Sequence, residues 1–280
     1  MTVQKRTAKD RDPRPIGVFD SGVGGLCAVR EIRRLLPRES LVYFGDTARI
    51  PYGTRSAGTV CRYAAEDVRF LLEHDPKAIV IACGTVSANA LDVCRASCNV
   101  PVIGVIDPAC SAALASTKNR KIGVIATSST IASGAYEKTL SREAPDVSVI
   151  SCACPLFVPL VENGFVSPDD PVPLEVARRY LAPIAEAECD TLILGCTHYP
   201  HLSAVIEKVL PGVRQIDTGV EVAHVLCGLL REEGLETDAQ TGTLSLFVSD
   251  DPAGFAKSAE TFLGSPAEGV QGVSLQDAAP

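Results

Sequence analysis

No stretch of this 280-residue chain is apolar for the roughly 20 residues that a bilayer-spanning helix needs, so no membrane span is expected. Residues 1–15 are polar and basic and lack an apolar h-region, which argues against a secretory signal and for a flexible tail. Positive charge is in short supply. Lys and Arg number 26 against 34 Asp and Glu, a net charge of −8, and this disfavours nucleic acid and membrane surfaces, both anionic, as partners. A small anionic substrate is not disfavoured, because it meets only the local field of its pocket. A dinucleotide fingerprint is also missing: Gly22-Val23-Gly24-Gly25 does not match Gly-x-Gly-x-x-Gly, and Asp20 beside it would repel a phosphate. With 46% hydrophobic and 21% charged residues, the chain has material for a sizeable core and is not disordered as a whole.

Cysteine, by contrast, is abundant, at 11 residues. An odd number without an export signal points to free thiols in a reducing cytoplasm rather than to disulfides. Most of these thiols are expected to be small buried hydrophobes.

Continuous apolar runs at residues 16–19, 41–44, 79–82, 102–105, 122–126, 147–151, 192–195 and 244–248 predict buried strands of the kind found in parallel sheets covered on both faces. Helices are predicted between them. Residues 56–74 carry a 3.6-residue apolar stripe through Val60, Ala64, Val68, Leu71 and Leu72, residues 173–187 follow a Ser-Pro-Asp-Asp-Pro entry, and residues 218–233 stop at Gly234. The alternation predicts an α/β protein with mainly parallel sheets. The stretch after Gly264 is rich in Gly, Ser, Ala and Pro and is expected to fray.

A weak internal repeat divides the chain. Ile16-Gly17-Val18-Phe19-Asp20-Ser21 resembles Ile122-Gly123-Val124-Ile125-Ala126-Thr127 (offset 106), and Ile79-Val80-Ile81-Ala82-Cys83 resembles Leu192-Ile193-Leu194-Gly195-Cys196 (offset 113). Ligands in open α/β sheets bind beyond the carboxyl ends of strands, where Asp20, Cys83, Thr127 and Cys196 all fall. If the two halves face each other, Cys83 and Cys196 share one cleft.

Inverting an α-carbon requires a base on one face and an acid on the other. A thiol, with an ordinary pKa of about 8.5, can serve as either. A strand end leading into a helix start is expected to lower a thiol's pKa through backbone N–H groups and the helix dipole. Gly84-Thr85-Val86-Ser87 and Thr197-His198 supply donors suited to a carboxylate, and His198 and Asp20 can tune or reload the thiols. Structural roles compete with each of these. A cysteine ending a buried strand is more often core, His198 reads equally as a satisfied helix-start histidine, and Asp20 can simply cap the turn before Gly22.

Five stretches in order resemble glutamate racemases of the aspartate/glutamate racemase superfamily. They are residues 16–26 (Ile-Gly-Val-Phe-Asp-Ser-Gly-Val-Gly-Gly-Leu), 43–53 ending in Pro51-Tyr52-Gly53, 82–88 around Cys83, 157–162 ending in Glu162, and 195–200 around Cys196. The resemblance runs from about residue 16 to 264. It implies two pseudo-symmetric α/β domains, residues 1–106 with 217–280 and residues 107–216, with the active site in the cleft between them. It implies that Cys83 and Cys196 exchange the α-proton, Cys83 on the D- and Cys196 on the L-enantiomer, with Asp20, Glu162 and His198 as polar assistants. Asp20, Ser21, Pro51, Tyr52, Gly53, Gly84, Thr85, Thr127, Thr197 and His198 would line the substrate. It further implies cofactor-free conversion of L- to D-glutamate for peptidoglycan synthesis, and a homodimer. One departure bears on substrate binding: Gly84 stands where the family usually has Asn, and losing a hydrogen bond to a charged group costs roughly 1.5–3 kcal/mol if nothing replaces it.

The alternatives are a racemase for another amino acid such as aspartate and a non-catalytic regulator on the same scaffold. A hydrolase with a single cysteine nucleophile would leave the second cysteine motif unexplained. A metal site of Cys196, His198 and His201 would be interrupted by Pro200 and lacks a recognisable fourth ligand. A pyridoxal-phosphate lysine is not excluded by pattern, but a thiol pair makes one unnecessary.

Overall fold

The structure, a computed structural model, describes residues 11–275. Among the described residues, ten strands form two sheets in which every pairing is parallel. They are β1 Ile16–Asp20, β2 Leu41–Gly45, β3 Ala78–Ile81, β4 Val102–Gly104, β5 Lys121–Ala126, β6 Ser148–Ala153, β7 Thr191–Leu194, β8 Arg214–Asp217, β9 Leu244–Val248 and β10 Gln271–Gly272. The first sheet has the order β10-β9-β2-β1-β3-β4 and the second β6-β5-β7-β8.

The repeat is therefore structural. Strands β2-β1-β3-β4 and β6-β5-β7-β8 follow the same order, and their registers coincide: Ile16 pairs with Ala78 as Ile122 pairs with Thr191. Those residues stand at the two offsets seen in the sequence.

Strands β1, β2 and β3 are buried along their whole length because helices cover both faces. Ile16 and Val18 pack with Leu26, Val29 and Ile32 of the helix Leu26–Leu35. Phe19, pointing the other way, packs with Val60, Ala64, Val68 and Leu71 of the helix Ala57–Leu72. That helix starts at Ser56, whose hydroxyl accepts from Thr59 N. The helix Pro171–Glu186 is capped by Asp170, and Thr218–Glu232 leads into Gly234 at φ 67°.

Three expectations need correction. Residues 11–15 are not a loose tail: Asp12 is buried, its carboxylate pairs with Arg14 at 2.7 Å, and its carbonyl accepts from the buried Lys77 Nζ at 2.9 Å. Residues 1–10 lie outside the described residues. The stretch after Gly264 is likewise anchored, since β10 pairs with β9 and Val273 N donates to Val248 O at 2.8 Å; residues 276–280 lie outside the described residues. Strand β8 was missed because it is an edge strand, and of its residues only Ile216 is buried. Among the described residues, no helix is long and apolar enough to cross a membrane.

Candidate active site

The carboxyl ends of β1, β2, β3, β5, β7 and β9 converge on one cavity of about 790 Å³. Every residue that the resemblance assigns to catalysis or substrate lines it: Asp20, Ser21, Pro51, Tyr52, Gly53, Cys83, Gly84, Thr85, Thr127, Glu162, Cys196, Thr197 and His198; Val86 and Ser87, offered as carboxylate donors, do not, and the Ser87 hydroxyl donates to Ile81 O. Cys83 follows β3 and precedes the helix Gly84–Asn89. Cys196 follows β7 at the equivalent point of the other sheet.

The two thiols have different partners. Cys83 interacts electrostatically with the Asp20 carboxyl, which lines the same cavity, and its Sγ lies 3.7 Å from Ser21 Oγ. Asp20 is buried, and its carboxylate accepts from Gly22 N at 3.1 Å, so it also fills the turn-capping role. Burial raises its pKa, offset in part by the positive charge of His198 and by backbone N–H groups. The Cys83 thiol is pushed up to about 12, first by burial and then by the Asp20 charge, against the pull of the Val86 and Ser21 N–H groups. The expected lowering by a helix start does not prevail here, because desolvation in a closed pocket outweighs the donors of a single short helix.

On the other wall, His198 is buried. Its Nε2 lies 3.1 Å from Glu162 Oε1, and its Nδ1 lies 4.0 Å from Cys196 Sγ and 3.4 Å from Thr197 Oγ1. Burial works against an imidazolium, but the contacts to Cys196 and then Glu162 outweigh it and push His198 up to about 10. His198 thus carries its proton at neutral pH. Glu162 ends the helix Phe157–Glu162, with its carboxylate at the Nε2 edge of the ring.

Several functional positions escaped the sequence reading. Asp250 and Asp251 follow β9, and Phe255, Ser258 and Phe262 come from the helix Pro252–Leu263; all line the cavity. The ring of Phe262 meets His198 edge-on at 5.1 Å. The strand-end rule, applied to residues 244–248, would have found this segment.

Tyr52 lines the cavity, but its hydroxyl is turned away from it, onto the buried carboxyls of Asp46 and Asp67. Arg49 pairs with the same two at 2.5 and 2.7 Å. His201 does not join Cys196 and His198. It contacts Cys27 Sγ at 3.4 Å, and burial and the His198 charge lower it to about 4, so it stays neutral behind Phe262. Among the described residues, no group of three or more His, Cys, Asp or Glu side chains is placed to hold a metal.

Gly84 is a tight fit. A Cβ there would stand 2.3 Å from Gly195 O, so the Asn that the resemblance leads one to expect is excluded without movement of backbone. Across the cleft, Thr85 Oγ1 lies 3.0 Å from Thr127 Oγ1.

Two related parallel sheets with a thiol from each at one cavity define an enzyme of the racemase class. Comparison with known proteins makes this specific: the chain belongs to the Asp/Glu/hydantoin racemase family, whose model matches residues 27–226. The glutamate racemase of Geobacter metallireducens is 46% identical over 94% of this chain and 97% of its own. The crystal structure of glutamate racemase from Francisella tularensis in complex with D-glutamate superposes with a TM-score of 0.90 at 41% identity, covering 96% of this chain and 100% of that one. That of Thermus thermophilus, in complex with β-chloro-D-alanine, gives 0.86 at 46% identity, covering 95% and 99%. The chain is an amino-acid racemase.

Proposed function

We propose that the chain interconverts L- and D-glutamate without a cofactor, using Cys83 and Cys196 as the two bases. The observation that carries this reading is that each thiol has its own proton partner: Asp20 for Cys83, and the His198–Glu162 pair for Cys196. In the L-to-D direction the Cys196 thiolate takes the α-proton, leaving a carbanion conjugated with the substrate carboxylate. The Cys83 thiol, kept protonated by burial, then delivers its proton to the opposite face. This leaves a Cys196 thiol and a Cys83 thiolate. After product leaves, exchange with water removes the Cys196 proton beside the His198 imidazolium and reloads Cys83, which restores the starting state. In the reverse direction Asp20 accepts the Cys83 proton first.

No Arg or Lys lines the cavity among the described residues. The substrate carboxylates are therefore assigned to neutral donors, the hydroxyls of Ser21, Thr85, Thr127 and Thr197 and backbone N–H groups, with His198 the cation of the site. We further assign residues 1–106 with 217–280 to one domain and 107–216 to the other, the division that separates β1–β4, β9 and β10 from β5–β7; β8 ends at Asp217, on this boundary. Free thiols at all eleven cysteines support a reducing, cytoplasmic setting, where the product D-glutamate would feed peptidoglycan synthesis. A homodimer, as the resemblance implies, completes the proposal; sedimentation of the purified chain tests it.

The test of the activity is incubation with L-glutamate, and separately L-aspartate, in deuterated water without added pyridoxal phosphate. Loss of glutamate's circular dichroism together with α-deuteration supports the reading. Activity on aspartate alone overturns the substrate, and silence on both overturns the activity.

A further inference from the structure

We infer that Ser249 is a positioning residue for the substrate site: its hydroxyl staples two loops at the rim of the cavity, the Pro51-Tyr52-Gly53 loop and the loop that enters the helix Pro252–Leu263, into one body. This inference rests on the reading of the cavity as the place where glutamate binds.

The staple starts in the sheet. Strands β2 and β9 run side by side with Gly45 opposite Val248, so Asp46 and Ser249 leave the sheet together. Ser249 N donates to Gly45 O at 3.1 Å, which carries the pairing one step past the strands. Beyond that point two hydroxyls cross between the loops, each donating one bond and accepting another. Ser249 Oγ donates to Asp46 Oδ1 at 2.8 Å and accepts from Ala48 N at 2.9 Å. Thr47 Oγ1 donates to Asp250 O at 2.6 Å and accepts from Asp250 N at 2.8 Å.

The anchor of Ser249 is rigid. Asp46 is fully buried, and its other carboxyl oxygen accepts from Arg49 Nε at 2.5 Å and from the Tyr52 hydroxyl. Arg49 in turn donates to Asp67 of the helix Ala57–Leu72 at 2.7 Å and lies over the Tyr63 ring at 4.2 Å. One oxygen of Asp46 therefore holds the Pro51-Tyr52-Gly53 loop, and the other holds Ser249. On the far side, Asp251 adopts a left-handed φ of 43° and accepts from Gly254 N at 2.9 Å, capping the helix that brings Phe255 and Phe262 to the cavity.

Pro51, Tyr52 and Gly53 of one loop and Asp250 and Asp251 of the other line the cavity, whereas Ser249 does not. Neither thiol sits on either loop, since Cys83 follows β3 and Cys196 follows β7. Loss of the staple thus frees the rim and leaves the thiols in place. Each lost hydrogen bond shifts such an equilibrium roughly fivefold, and a rim in position only a tenth of the time weakens apparent affinity about tenfold. Once glutamate is seated it holds the loops itself, so KM rises while kcat hardly moves.

The experiment compares Ser249→Ala and Ser249→Thr with Ser97→Ala as control, whose hydroxyl returns to Val93 O at 2.7 Å. Steady-state racemisation of glutamate is measured, and hydrogen–deuterium exchange of each full chain is followed by mass spectrometry with and without D-glutamate. Ser249→Ala should raise KM about tenfold with kcat within about twofold of wild type. Exchange should quicken in residues 47–54 and 249–254 together, not in β3, and slow again with saturating D-glutamate. Ser249→Thr keeps the hydroxyl and should restore both KM and exchange, and Ser97→Ala should match wild type. If Ser249→Ala does not fold, Thr47→Val removes the other crossing hydroxyl and carries the exchange test. A folded Ser249→Ala with wild-type KM and unchanged exchange overturns the inference, as does faster exchange confined to one loop or spread over the whole chain. A wild-type chain that leaves glutamate untouched would sink the function reading, while exchange quickened in both loops of Ser249→Ala would still support the staple.

Discussion

The imidazole of His198 bridges two groups of opposite function: Nε2 sits 3.1 Å from the Glu162 carboxylate, and Nδ1 faces the Cys196 thiol at 4.0 Å. The bridge makes a prediction for stability and one for rate. The pKa of His198 is raised in the folded chain from its ordinary 6.5 to about 10, so the stability it contributes is complete below 6.5 and is lost as pH rises through about 10. Glu162→Gln removes part of that contribution. Wild type and variant should therefore differ in Tm at neutral pH and converge above about pH 10. The variant's kcat should fall on the order of 10²-fold, with the basic limb of its pH–rate profile moved to lower pH. Equal Tm values at neutral pH would mean that the pair is not formed.

Beneath the Pro51-Tyr52-Gly53 loop, the Tyr52 hydroxyl is held between Asp46 and Asp67. Burial, and then the Asp46 charge, pushes the Asp67 pKa well up, so the Tyr52 hydroxyl, set between the two carboxyls with Arg49 beside them, links a buried hydrogen-bond chain. Tyr52→Phe breaks this chain inside the core. Urea unfolding should show a loss of roughly 1.5–3 kcal/mol, the value of a hydrogen bond to a charged group. An unchanged midpoint would show that the hydroxyl does not hold the loop.

Thr127 has two duties. Its hydroxyl accepts from Thr130 N at 3.4 Å, capping the helix Ser128–Ser133, and meets Thr85 Oγ1 across the cleft at 3.0 Å. Thr127→Val keeps the shape and removes both. It should cost about 1 kcal/mol of stability through the cap and raise KM for glutamate about tenfold, as loss of a substrate hydrogen bond does. Steady-state kinetics with an unchanged KM would remove Thr127 from the substrate's contacts.

Much of this was legible in the chain because the central strands are buried on both faces and so read as continuous apolar runs; β1, β3, β5 and β7 are of this kind. The strands the sequence hid are those that burial does not mark: β8 at a sheet edge, and β10, two exposed residues. The strand-end rule found Asp20, Cys83, Thr127 and Cys196. It missed Asp250, Asp251 and Phe262 only because it was not carried past β9. The state of the Cys83 thiol went the wrong way because a helix start is visible in sequence, whereas the burial that overrides it is not. The docking of Gly84 on Gly195 joins two loops distant in the chain and has no local signal.

The most direct test of the two-thiol account is α-deuterium exchange by the single-thiol variants. Each of Cys83→Ser and Cys196→Ser, folded by circular dichroism, is given L- and D-glutamate separately in deuterated water, and both deuteration and inversion are followed by NMR and circular dichroism. The account predicts racemisation reduced on the order of 10³-fold or more in both. It predicts residual exchange with retention confined to D-glutamate in Cys196→Ser, which keeps Cys83, and to L-glutamate in Cys83→Ser. Full racemisation by either variant, or exchange of both enantiomers by one thiol, would contradict it.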